Sequence, residues 1–403
     1  MPAHELYLRL KAERVTTPRF NKPRIPSHYY VWCDPPDSSG EESLHFVSER
    51  RAIKLKGRAF AEFERRVIPL LDGSRTVGEI ASEVEDVFAL GDLEVGLDLL
   101  AEQGVLEDGD AGSPNGRRVS EITPQLNLFH ELGLNSAEAQ RRLRNATVTI
   151  FGLSGAGPGL AESLAKTGIG RIRCVDSLSV SPTDLYLSSG FSASDLGSLR
   201  STALERRFAP QFLESRFEAV TAGMSSDEAV ASAIEGSDYV VSCLDAGQSS
   251  LIYKLNRVCL QAGIRWTSCA LAGSEVIIGP TVYPRVTPCY LCYKMRVVAC
   301  AGNPEDAFAF ENLLDERKQD DSCRRENIAM GAGIGANLLA LEIVRDIAGL
   351  TPVTTAGKVV IFNLLDLSSV KHVVLRKPWC PVCFPPDAKN VPRPGIPHPA
   401  GQQ

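Results

Sequence analysis

The chain lacks three things that would decide its class at once. It has no run of about 18 uninterrupted apolar residues, so no transmembrane helix is written into it. Its opening, MPAHELYLRLKAERV, has no apolar core of the kind a secretory signal needs, and a cytoplasmic protein is expected. It also lacks a basic excess: the net charge is -6, which leaves no broad cationic face for a phosphate backbone. Nucleic acid and membrane are therefore not expected as partners. No internal repeat stands out. What remains is an ordinary globular composition, 44% hydrophobic and 23% charged over 403 residues, with room for two or three domains.

Cysteine is the exception, with 11 in the chain. Four form two Cys-x-x-Cys pairs, Cys289/Cys292 and Cys380/Cys383, each next to or enclosing a proline. Four soft thiolates make a closed tetrahedral set for zinc, and with every position filled by protein the metal is expected to be structural. Two separate redox dithiols are the alternative, though each would need its own thioredoxin-like setting. Single cysteines inside apolar runs, Cys174, Cys243, Cys259 and Cys269, read as reduced, buried thiols.

The pattern along the chain divides it. Residues 1–28 read as a flexible arm, with three prolines between Pro18 and Pro26. Residues 29–108 read as a small winged-helix α+β domain. Tyr29–Trp32, Leu44–Val47 and Ala52–Leu55 are its expected strands, followed by three helices. The first carries Phe60, Phe63 and Val67; the second opens on a Thr76/Glu79 capping box; the third, capped by Asp92, carries Leu93, Leu97 and Leu100. Residues 109–120 are a linker by composition, and 387–403 a proline-rich tail expected to be disordered. Between them, 121–386 alternates strand and helix. Candidate strands at 148–151, 172–175, 239–243, 266–270 and 276–278 predict a Rossmann-type, mostly parallel sheet, followed by a long small-residue helix over Ile328–Ile347.

GLSGAGPG, residues 152–159, joins the first of these strands to a helix, the place where an open parallel sheet binds ligands and where helix-terminal amides favour an anion. Neither frame fits G-x-G-x-x-G cleanly. Asp176, at the end of the next strand, stands where a carboxylate could hold a ribose hydroxyl. A nucleotide turn and a turn kept for close helix packing both remain open.

Taken together, GLSGAGPG, Asp176 in RCVD, DLGSLRS at 195–201, SCLDAG at 242–247 and both cysteine knuckles in order resemble the ThiF/MoeB superfamily, relatives of ubiquitin-activating enzymes. The resemblance implies a homodimer and an ATP/Mg site. Gly152, Gly155, Gly157 and Asp176 would hold the nucleotide and Asp245 the magnesium, Asp245 being catalytic only if adenylation is active. Several cationic positions depart from the family pattern. Asp184 stands for its Asn, Leu187 for its Arg, Arg200 for its Lys, and Gln125 for an early Arg. One preorganised cation commonly carries a few kcal/mol of such a barrier, so the departures imply a degenerate site, with Arg200 still able to hold phosphate.

The stretch FVSERRAIKLKGRAFAEFERRVIPLLDGSRTVGEI resembles a PqqD-like leader-peptide recognition domain. Fused to a ThiF-like domain, it is similar to the precursor-binding partner proteins of azoline and thiopeptide synthesis. That implies capture of a leader peptide and its presentation to a YcaO-type cyclodehydratase. The leader would add a strand beside Ile53 and Leu55, with Leu93, Leu97 and Leu100 on or beneath the groove, unless these leucines are simply core. Two other functions stay open: an active enzyme that adenylates a peptide carboxylate, and a thioester or redox enzyme using Cys300 or Cys323.

Overall fold

The computed structural model describes residues 20–109, 119–244, 248–317, 327–350 and 352–384. The chain divides into two units, Met1–Arg141 and Arg142–Gln403.

In the first unit, β1 (Pro23–Arg24) precedes β2 (Tyr30–Asp34), β3 (Glu42–Val47) and β4 (Ala52–Gly57). These are followed by α1 (Phe60–Arg66), α2 (Val77–Glu83), α3 (Leu90–Glu102), β5 (Glu107–Asp108) and α4 (Val119–Glu131). Strands β2, β3 and β4 form an antiparallel meander in that order, so β2 and β4 are its edges. Period-two alternation turns Leu44, Phe46 and Leu55 inward against Phe63, Ile80, Leu93, Leu97 and Leu100. The Thr76/Glu79 capping box forms as expected. Helix α3 differs from its expected start: Ala89, not Asp92, is the N-cap, and Asp92 lies in the first turn, where its charge suits the helix dipole. Part of the expected arm is ordered, because β1 pairs antiparallel with β5 and Phe20 and Ile25 pack on this core. Residues 1–19 of the arm and most of the 109–120 linker lie outside the described residues, as does the 387–403 tail.

The second unit follows α5 (Ser136–Asn145) and opens on β6 (Thr147–Phe151), α6 (Ala156–Lys166), β7 (Arg171–Val175) and α7 (Pro182–Leu187). Then come α8 (Arg200–Phe208), β8 (Arg216–Val220), α9 (Asp227–Ile234), β9 (Tyr239–Ser242) and α10 (Ser249–Ala262). It closes with β10 (Arg265–Ala272), β11 (Glu275–Ile278), α11 (Tyr290–Ala299), α12 (Pro304–Arg317), α13 (Ala329–Ala348), β12 (Lys358–Asn363) and β13 (Ser369–Val373). The sheet runs β13-β12-β11-β10-β9-β6-β7-β8. From β10 to β8 it is parallel, the Rossmann-type part; β11, β12 and β13 extend it antiparallel. The central strands β6 and β9 are buried along their whole length, so even their Thr147, Thr149 and Ser242 lie inside, whereas β7 and β8 toward the edge alternate with Arg and Glu.

Helix α13 packs along α6. Its glycines have unequal reasons: a Cβ at Gly335 would lie 2.8 Å from Cys269 Sγ, whereas Gly333 faces open space. Gly335 therefore permits helix-on-sheet contact that alanine would block. Among the described residues no helix is long and apolar enough to cross a membrane.

Candidate functional site

The strand order reverses at β6, with β7 on one side and β9 on the other, and the carboxyl ends there form the crevice where open α/β sheets bind ligands. A cleft of about 310 Å³ of open space sits at that point, lined by Phe151, Gly152, Asp176, Met224, Gln248 and Leu251 among others.

The glycine turn forms the cleft's floor. Gly152 has φ +89°, and a Cβ on it would lie 2.5 Å from the Cys243 carbonyl oxygen; a Cβ on Gly157 would lie 2.1 Å from the Gly152 carbonyl oxygen. Only glycine fits either place, so the turn can press β6 against the start of α6. Gly155, at φ +52°, is the N-cap of α6. Asp176 is tied into the same turn: its carboxylate accepts the Leu153 N–H at 2.8 Å through Oδ2 and the Leu178 N–H at 2.9 Å through Oδ1. The structure brings Gly152, Gly155, Gly157 and Asp176 together at this turn.

Arg200 does not reach outward as a phosphate ligand would. It is buried, with Nη2 2.9 Å from Asp184 Oδ2 and Nη1 3.5 Å from Asp176 Oδ2. Asp184 is itself buried, and Oδ2 also accepts the Ser181 N–H and hydroxyl at 2.8 and 2.9 Å, closing the capping box of α7. One guanidinium thus lies between two carboxylates. Leu187 is buried too, while the expected early-Arg position, Gln125, donates to Gln140 in the first unit. Among the described residues lining the cleft, none is Lys, Arg or His. Asp245 lies outside the described residues.

Three groups at this edge were not singled out from sequence. Met224 and Gln248 line the cleft, and Asp315 accepts the Ser249 and Ser250 N–H groups at 2.8 and 2.9 Å, capping α10. Met224 and Asp315 reach this edge from segments without a local motif, whereas Gln248 directly follows the SCLDAG stretch.

The four knuckle cysteines converge. Their sulfurs all lie within 4.8 Å of one another, with Cys289–Cys292 at 3.9 Å, Cys289–Cys380 at 3.7 Å and Cys292–Cys383 at 3.5 Å. A tetrahedral zinc with bonds near 2.3 Å needs sulfurs about 3.8 Å apart, so the donor set fits the ion. The Lys377 N–H points at Cys292 Sγ, 3.4 Å away, an outer-shell contact typical of such ligands. Elsewhere burial pushes the Cys174 and Cys269 thiols up to about 12, as inert structural thiols. Cys300 is exposed; Cys323 lies outside the described residues.

In the first unit, Ile53 is half-buried and Leu55 buried on the inner face of edge strand β4. Leu93, Leu97 and Leu100 are 0%, 6% and 1% exposed, within the core rather than on a surface.

The ThiF family model matches residues 123–382. Among curated proteins, the chain is 23% identical over 250 residues to the sulfur carrier protein adenylyltransferase of Thermus thermophilus, covering 61% of this chain and 85% of the relative. It is 28% identical over 249 residues to vegetative protein HesA of Trichormus variabilis, covering 61% and 83%. Among solved structures, Escherichia coli MccB with MccA-N7isoASN superposes with a TM-score of 0.63 at 19% identity, over 90% of this chain and 99% of that one. PaaA superposes at 0.61 and 18% identity, over 87% and 99%. These structural likenesses concern the fold, and they extend beyond the ThiF-matched residues.

Proposed function

The chain belongs to the ThiF family, and on that premise we propose that it captures a ribosomally made precursor peptide and presents it for modification by another enzyme, its own nucleotide site being degenerate. The observation that carries this reading is Arg200. Arg200, which stands where the family has its phosphate-binding Lys, is buried between Asp176 and Asp184, so a triphosphate would have to compete with two carboxylates for it. The peptide half of the reading is supported by the likeness to MccB, whose structures were solved with the peptide MccA.

The finer form follows the resemblance of residues 29–108 to a PqqD-like recognition domain. The leader adds a strand to β4, and the captured precursor goes to a YcaO-type cyclodehydratase for azoline formation. Leu93, Leu97 and Leu100 then act from beneath, by holding the inner face on which β4 rests. Zinc, bound by Cys289, Cys292, Cys380 and Cys383, clamps the C-terminal segment and takes no part in chemistry. The protein works as a homodimer.

A second reading, adenylation of a peptide carboxylate, is favoured by the intact glycine turn and Asp176, and by relatives that bear the name adenylyltransferase. Isothermal titration of the purified protein with Mg-ATP and then with the precursor peptide separates the two. Heat from the peptide alone fits capture. Heat from ATP, together with ATP–pyrophosphate exchange lost in Asp245→Ala, would establish adenylation and overturn the first reading.

A further inference from the structure

Strand β4 has a charge pattern that neither the turn nor the zinc site explains. Residues 50–58, RRAIKLKGR, carry five basic side chains and no acidic one, in a chain whose net charge is -6. Among the described residues β4 pairs with β3 alone. The register fixes which groups face the open edge. Ser48 N–H donates to the Arg51 carbonyl at 2.8 Å, so hydrogen-bonded and non-hydrogen-bonded pairs alternate from there. Phe46–Ile53 and Leu44–Leu55 fall on bonded pairs; Val47–Ala52, His45–Lys54 and Ser43–Lys56 fall between them. Ala52, Lys54 and Lys56 therefore turn their N–H and C=O toward the free edge.

The same two lysines point their side chains to the outer face. Lys54 and Lys56 are exposed, as are Arg50 and Arg58 at the strand's ends, while Ile53 and Leu55 face the core. Among the described residues Lys54 has one ion-pair partner, Asp34 at 3.9 Å, itself half-exposed and bonded to His45, and Lys56 is felt by the exposed Asp37. A strand added to β4 keeps the two-residue alternation of its host. The residues opposite Lys54 and Lys56 stand beside ammonium groups, and those between them lie toward the apolar face.

We propose that the peptide recognised at β4 is an acidic strand, with Asp or Glu at alternate positions opposite Lys54 and Lys56 and apolar residues between them. This rests on the reading of β4 as the peptide edge, and names the class of sequence that edge selects. Opposite charges on directly paired residues favour binding and set register, since a one-residue slip would place acids against the apolar face.

The test uses the full-length, zinc-loaded protein and fluorescence anisotropy with a short fluorescein-labelled peptide alternating leucine and glutamate. Two controls replace glutamate by glutamine or by lysine. The glutamate peptide is expected to bind roughly five- to tenfold more tightly than the glutamine one, with the advantage shrinking as salt is raised. In Lys54→Glu/Lys56→Glu the lysine peptide is expected to bind best; Lys54→Gln/Lys56→Gln, a milder change, should abolish the preference. Ala52→Pro removes an edge donor without touching a charge and should weaken all three peptides. Equal affinities in the wild type with loss in Ala52→Pro would overturn the charge pattern and leave the edge reading standing. Indifference to Ala52→Pro, or no binding by any peptide, would overturn the edge reading itself. A short single-stranded oligonucleotide bound as tightly as the glutamate peptide would mark a general polyanion patch and overturn the proposal.

Discussion

Arg200 and Asp184 form a buried pair, Nη2 to Oδ2 at 2.9 Å, that joins the start of α8 to the first turn of α7. The pair sits beside the glycine turn, through the contact of Arg200 with Asp176. Removing the guanidinium alone would take from two buried carboxylates the cation they share, leaving them only neutral donors such as the Leu153, Leu178 and Ser181 N–H groups. Arg200→Met is therefore expected to destabilise the second unit by about 3–5 kcal/mol, read by denaturant titration. A loss below about 1 kcal/mol would mean that Arg200 is solvated and available for phosphate.

Zinc offers a second check. The purified protein should carry one zinc per chain, and Cys380→Ser should lose it, since a closed four-thiolate set has no spare ligand. Because metal binding contributes directly to folding, the variant should melt lower by roughly 10 °C. Elemental analysis and thermal melting measure both quantities; a variant that melts as the wild type does would remove the clamp.

Much of this site was legible because its pieces are local. The two Cys-x-x-Cys pairs and GLSGAGPG keep their meaning in any fold that brings their ends together, and the structure does bring them together. The Arg200–Asp184 pair was not legible. The two residues are 16 apart on different helices, and only the path of the chain between them decides that they meet. Leu93, Leu97 and Leu100 show another limit: helical spacing says that a face is apolar, not whether a peptide or the protein's own core covers it. Leu55 has the same ambiguity, and its burial means that Leu55→Glu would disturb the core before it reported on any peptide. Strand β8 is mixed and β13 exposed throughout, so neither shows a clear pattern, whereas the apolar Val359–Phe362 run of β12 carries a strand signal that the expected strands do not include.

Gly157 tests whether the turn's shape is needed for folding apart from any ligand. An added methyl group would lie 2.1 Å from the Gly152 carbonyl oxygen, so the backbone would have to shift. Gly157→Ala should cost about 2–4 kcal/mol, with no nucleotide present. A neutral effect in denaturant titration would mean that the turn relaxes freely.

The first unit should lose stability in acid through one carboxylate. Glu107 is buried, an environment that by itself opposes ionisation. The His130 ring 3.6 Å away, the Arg24 guanidinium and a hydrogen bond from the Ser136 hydroxyl outweigh that cost and lower its pKa from 4.5 to about 2. A folded-state pKa below the unfolded value means stability that is complete above the unfolded value and lost as pH falls through the folded one. The loss therefore runs from about pH 4.5 down to about pH 2 and amounts to about 3 kcal/mol. Glu107→Gln keeps the shape and removes the titration. In that variant the same acid range should show a flatter stability curve, with the shortfall already present at neutral pH because Arg24 loses its partner. Denaturant midpoints measured in steps of pH, wild type beside Glu107→Gln, test this. Parallel curves would assign the acid sensitivity to other carboxylates and leave Glu107 as a passive member of the β1–β5 pairing.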